Sequence, residues 1–220
     1  MQLLQYAFTI VLVSVLVGAV IAFVFMGLAK VRRTRRLARA AHERGMRFFR
    51  DDPYDVPRRY AGSAVISAGH SPRANNVIDG RFNGRPVRAF DFRCELGHGT
   101  RRMTRHYAVM AFEADRASEP LLMWQTSEEE TPPLAARSPD GQLGRWQYRG
   151  NRRLAEALAS SCEGLGDAPV SMEVRGTALI AAAAAKGRSP DCSVRFRQIE
   201  AAARAWAAAI GGSVDSAGSV

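Results

Sequence analysis

The sequence predicts an α+β protein: an N-terminal transmembrane helix followed by a mostly antiparallel β-sheet domain with two helices in its C-terminal half. Three observations predict it. Leu3–Ala29 is free of charge, apolar and polar residues alternate from Pro86 to Glu113, and helical spacing returns late, after Asn151 and Asp191.

The uncharged run is 27 residues long, about 40 Å of helix at ~1.5 Å per residue, against a hydrocarbon core of ~30 Å. A cleavable signal peptide would need a basic start and a shorter apolar core. Only Met1 and Gln2 precede this run, and it leads straight into Lys30, Arg32, Arg33, Arg35, Arg36 and Arg39. Translocating such a cluster is disfavoured. The expectation is therefore an uncleaved, single-pass signal anchor in the cell membrane, N-terminus outside and the remaining chain cytoplasmic. The same six cations would meet the anionic headgroups of the lipid bilayer. Within the run, Ser14, Gly18 and Ala22 recur every fourth position, a small-residue face on which a second copy could pack as a homodimer.

The organisation that follows is an anchor over residues 1–29, then a basic juxtamembrane helix and proline-containing connector over 30–58. A cytoplasmic α+β domain covers 59–210, and a disordered tail 211–220. Pro53 and Pro57 end the helical spacing of residues 30–50. Strands are expected at Ala61–Ser67, Asn76–Phe82, Pro86–Leu96, Met103–Glu113, Leu121–Thr126 and Arg145–Tyr148. Asn83-Gly84 marks a two-residue hairpin. A second hairpin, closed by residues 97–102, would pair Leu96 with Met103, Cys94 with Arg105, Phe92 with Tyr107 and Phe90 with Val109. One face would then be apolar, while Asp91, Arg93, Glu95, Thr104 and His106 occupy a solvated one.

Ser127–Gly144, rich in Glu, Pro and Gly, reads as a surface loop. Asn151 caps a helix carrying Leu154, Ala157, Leu158 and Ser161. Val170–Val174 and Thr177–Ala183 form a hairpin about Arg175-Gly176, and Asp191–Ile210 is a closing helix.

The chain carries 31 basic and 21 acidic residues, a formal charge of +10. The excess is local: residues 30–60 hold 11 basic and 4 acidic side chains, and 117–220 hold 11 and 12. Nearly all the cations are arginine and alanine is abundant, a bias that G/C-rich codons explain without a nucleic-acid partner. RNA readers also expose aromatics on their sheet face, whereas Phe90, Phe92 and Tyr107 fall on the apolar face here. Nucleic acid is not an expected partner.

The segment Gly69-His70-Ser71-Pro72-Arg73-Ala74-Asn75-Asn76-Val77, then Gly80-Arg81, Arg88-Ala89-Phe90-Asp91-Phe92 and Gly97-His98-Gly99, resembles a group of bacterial, chiefly actinobacterial, proteins. These are N-terminally membrane-anchored and carry a cytoplasmic domain of unknown function. The resemblance implies anchoring and a β scaffold, and it brings no catalytic residues with it.

No constellation demands chemistry. His42, His70, His98 and His106 lack the close spacing of metal ligands, and Cys94, Cys162 and Cys192 form no C-x-x-C pair. Gly97-x-Gly99 lacks the later glycine and the helix of a dinucleotide fingerprint. No catalytic residue, metal or cofactor is expected. The function expected is non-enzymatic protein or lipid contact by the cytoplasmic domain, with the protein partner unidentified. The alternative is a membrane-tethered enzyme or small-ligand domain that uses Asp91, Arg93, Glu95 and His106.

Overall fold

A computed structural model describes residues 2–82, 84–125, 138–162, 170–184 and 206. In the first helix it describes the side chains at 6, 8, 11–25, 27, 28 and from 31 onward.

One strand organises the sheet. β4 (Met103–Gln125) is 23 residues long. Its first half pairs with β3 (Arg85–Leu96), its second half with β6 (Trp146–Gly150), and its other edge with β7 (Val170–Ala184). Outward from β3 lie β2 (His70–Phe82) and then β1 (Arg47–Asp51), while β5 (Gly141–Leu143) borders β6. Among the described residues every pairing is antiparallel, giving a seven-stranded sheet. The helices are α1 (Gln2–Glu43), α2 (Val56–Arg59) and α3 (Arg152–Ser161).

The two hairpins follow the alternation. Leu96↔Met103, Cys94↔Arg105, Phe92↔Tyr107 and Phe90↔Val109 are the observed partners. Phe82 pairs with Arg85 across a two-residue turn whose Gly84 has φ +78°, a conformation glycine adopts without a Cβ penalty. Asn151 caps α3 by accepting from Leu154 N at 2.9 Å.

Both sheet faces are covered. Phe90, Phe92, Cys94, Tyr107 and Val109 pack against Val56, Tyr60, Val65 and Ile66. On the other face Val87, Ala89, Met110 and Phe112 meet Leu37 and Ala41 of α1, Leu158 of α3, and Trp206. The face expected to be solvated is polar only toward Asp91 and His106. Farther along the same strands it becomes apolar and lies beneath α1.

Several expectations are corrected. Among the described residues no helix is long and apolar enough to cross a membrane, which overturns the transmembrane, single-pass signal-anchor reading of Leu3–Ala29. Helix α1 also runs on to Glu43 without a break, so that its last turns belong to the sheet domain.

Residues 47–51 are strand, not helix: Phe48 and Phe49 pair with Ile78 and Val77. Residues 61–67 form turns in place of a strand, because Ala64, Val65 and Ile66 are buried in succession under the sheet. The expected hairpin at Arg175-Gly176 is one continuous strand, β7. Gly176, at φ +58°, sits where the β4–β7 register shifts between Glu113 and Leu121, so the glycine marks an irregularity and not a reversal. Gly141–Leu143 of the expected loop is strand β5. Thr126 of the expected strand, residues 127–137 of that loop, the expected helix 191–210 apart from Trp206, and the tail 211–220 lie outside the described residues. Trp206 itself is helical and buried.

Candidate functional site: helix α1 and the sheet face beneath it

Helix α1 has two chemically different parts. Fifteen of the sixteen exposed large hydrophobic side chains among the described residues lie on it, from Tyr6 to Val31; the other is Met103. Val11, Leu12, Val13, Val15, Leu16 and Val17 are all more than half or about half exposed. Consecutive positions step by about 100° around a helix, so these six cover about two thirds of its circumference, and the exposed Ile21 and Phe25 fall in the remaining sector beside Ser14 and Gly18. Ser14, Gly18 and Ala22 are exposed within this stretch, and a Cβ at Gly18 would meet nothing within 4 Å.

The next turns are basic. Arg32, Arg35, Arg36 and Arg39 are exposed, whereas the Lys30 side chain lies outside the described residues. Arg33 departs from its neighbours: its Nη2 is 2.6 Å from Asp91 Oδ2 on β3. Asp91 also accepts from Asn76 Nδ2 at 2.8 Å. Asn76 has φ +51° beside a register shift in β2, and that bulge aims its amide at Asp91. The ion pair and the buried Leu37 and Ala41 seat the C-terminal part of α1 on the sheet.

The polar residues proposed from sequence are thus engaged in structure. Asp91 is held by Arg33 and Asn76, Glu95 accepts from Arg102, and Arg93 stands opposite His106 in the register. Asp91 and Arg93 both lie within electrostatic reach of His106, while Glu95 is engaged by Arg102. Burial and the neighbouring Arg93 push the His106 imidazole below its usual pKa, partly opposed by Asp91. His70 and His98 do meet, with Nε2 atoms 3.3 Å apart on the exposed surface. Among the described residues no group of three or more potential metal ligands gathers.

On the opposite face the structure assembles a network that sequence reading missed. Asp79 Oδ1 is 3.0 Å from Arg88 Nε, and Asp79 Oδ2 accepts from Arg47 Nη2 at 2.5 Å and from Tyr54 OH at 3.2 Å. Arg88 Nη1 donates to Glu113 Oε1 at 2.9 Å; the same carboxylate accepts from Tyr60 OH and Arg59 Nη2, each at 3.1 Å. Burial pushes the Tyr60 phenol above its ordinary pKa. The guanidinium of Arg88 also lies over the Tyr54 ring, 5.2 Å from its centroid. This network ties β1, the 52–60 connector and β4 together, and each carboxylate meets two guanidiniums: Asp79 those of Arg47 and Arg88, Glu113 those of Arg59 and Arg88. A signal for it existed: the Asn83-Gly84 turn counts back to place Asp79 opposite Arg88.

Between the last turn of α1 and strands β2–β4 lies an apolar cleft of about 80 Å³. Ala41, Met46, Ile78, Phe82, Met110 and Phe112 form its walls, with Arg44 at its edge. Met46 of this wall lies over Gly80, where a Cβ would stand 2.6 Å from Met46 Cγ. The absence of a side chain there is what lets Met46 lie across the sheet.

No protein-family model matches the chain, and no curated protein does. Its structure is similar to the crystal structure of the mycobacterial trehalose monomycolate transport factor A, TtfA. The two align with a TM-score of 0.53 and 15% identity over 77% of this chain and 91% of that one. At that identity the likeness is one of fold, a sheet-dominated architecture shared with an actinobacterial protein.

Proposed function

We propose that this chain acts by contact with lipid, not by catalysis, using the apolar part of α1 to engage acyl chains and the sheet domain to present that helix. The observation that carries this reading is that the exposed apolar side chains of Val11–Phe25 lie on every side of the helix. A protein groove covers one side of a helix, whereas acyl chains cover all sides. The exposed Arg32, Arg35, Arg36 and Arg39 follow immediately, where their guanidiniums would meet anionic headgroups at roughly 1 kcal/mol each. The structural neighbour is named a trehalose monomycolate transport factor, which supports lipid as the class of partner.

Flotation of the full chain with phosphatidylglycerol vesicles tests the proposal. The chain should float with the vesicles, and Leu16→Glu/Val20→Glu should leave it at the bottom of the gradient with its circular dichroism unchanged. A wild-type chain that stays at the bottom while folded would refute lipid contact.

A further inference from the structure

We infer that the cleft between α1 and strands β2–β4 takes the end of an aliphatic chain whose anionic head is held at Arg44 and Arg85. The inference rests on the lipid-contact reading for its ligand class, but it concerns a second, separate place on the molecule. Three observations carry it.

The walls are almost wholly apolar, so a polar ligand would lose its hydration without recovering hydrogen bonds there. The volume of about 80 Å³ is roughly half that of a cavity known to take a benzene ring, ~150 Å³. It therefore suits a few methylenes and not a ring system. Met46 and Met110 are unbranched and adaptable, so these two walls can yield as a longer chain enters.

The charge at the edge fits one kind of head. Arg44 is exposed on the rim, its Nη1 donating to Ala40 O at 3.1 Å. Arg85 shares the cleft's face of β3 with Val87 and Ala89 by strand alternation, and it pairs directly with Phe82 of the cleft wall. Its Nη1 is buried and donates to nothing among the described residues. A buried guanidinium nitrogen without an acceptor is costly. A carboxylate or phosphate head would supply that acceptor in the fork geometry arginine favours.

The test is photo-labelling of the full chain with a palmitic acid analogue bearing a terminal diazirine, followed by digestion and mass spectrometry. Adducts are expected on Met46, Phe82 or Met110. Palmitate should compete them away at least tenfold more effectively than hexadecanol, which lacks the charge. Ala89→Phe should abolish them by filling the cleft, and the surface substitution Arg44→Glu should reduce them at least fivefold in a chain with unchanged circular dichroism. Adducts confined to residues 6–28 would overturn the cleft while leaving lipid contact by α1 standing. Cleft adducts that hexadecanol competes equally well, or that survive both substitutions, would overturn it too. A chain that floats with vesicles yet takes no label on β2–β4 also refutes the inference.

Discussion

Arg33 of α1 and Asp91 of β3, 58 residues apart in the chain, meet at 2.6 Å, and this pair fixes where the long helix leaves the sheet. The surrounding Arg32, Arg35 and Arg36 stay exposed, so one arginine of the cluster serves the fold while its neighbours remain available to a partner. The side chains of Arg33 and Asp91 are 25% and 15% exposed, which makes the pair partly desolvated and sensitive to loss of one member. Asp91→Ala is expected to cost about 2–3 kcal/mol, leaving a guanidinium and the Asn76 amide without their shared acceptor. Urea unfolding measures the cost, and limited proteolysis near residue 33 should speed up in the same variant. A loss under about 0.5 kcal/mol would show the pair to be incidental.

Arg88 carries a larger expected effect. Its removal leaves the carboxylates of Asp79 and Glu113 on one face with their common cation gone, while Tyr54 loses the guanidinium over its ring. Arg88→Met should destabilise the domain by about 3–5 kcal/mol. Adding Asp79→Asn to that variant should recover part of the loss, since it removes one of the stranded charges. Thermal unfolding of the two single variants and the double variant gives the coupling directly. Strict additivity would mean that the two side chains do not act on each other.

The charges that matter most to stability were the least visible in the sequence, and the reason is physical. Asp79, Arg88 and Glu113 are scattered along the chain, and only the register unites them. The β3–β4 hairpin itself was legible, because a period of two admits one face assignment and Leu96↔Met103 then sets every other pair. The apolar trio Ala64-Val65-Ile66 was misread as a strand because burial in succession looks the same in a turn packed under a sheet. Arg175-Gly176 was misread as a reversal because glycine at positive φ serves both hairpin turns and strand irregularities. The cleft drew its walls from α1 and three strands, a combination no local spacing announces.

Acid sensitivity should trace partly to His106. Burial and Arg93 lower its pKa below the ordinary 6.5, so the unfolded chain binds this proton more readily than the folded one does. The stability cost is absent above about pH 6.5. It grows as pH falls from there through the folded pKa, below which it is fully expressed. His106→Gln should therefore flatten the decline of urea midpoint between pH 7.5 and 5, and imidazole NMR should show one histidine titrating below 6.5. A His106 resonance titrating above 6.5 would contradict this environment.

Burial pushes the Cys94 thiol up to about 11 and the Cys162 thiol to about 12. In a Cys192→Ser background, neither should react with dithionitrobenzoate at pH 8 until the chain is unfolded, when both should react. Rapid labelling of the folded chain would show that the sheet core opens readily.

That inertness makes the most direct measurement practical. In the same Cys192→Ser background, an environment-sensitive NBD fluorophore is attached to Leu16→Cys in one chain and to Met103→Cys in another. Met103 is the one exposed large hydrophobic side chain away from α1 among the described residues. Phosphatidylglycerol vesicles are then titrated in. Lipid contact through α1 predicts a several-fold rise and blue shift of emission at position 16, with position 103 unchanged. An unchanged signal at position 16, or equal changes at both positions, would contradict the account.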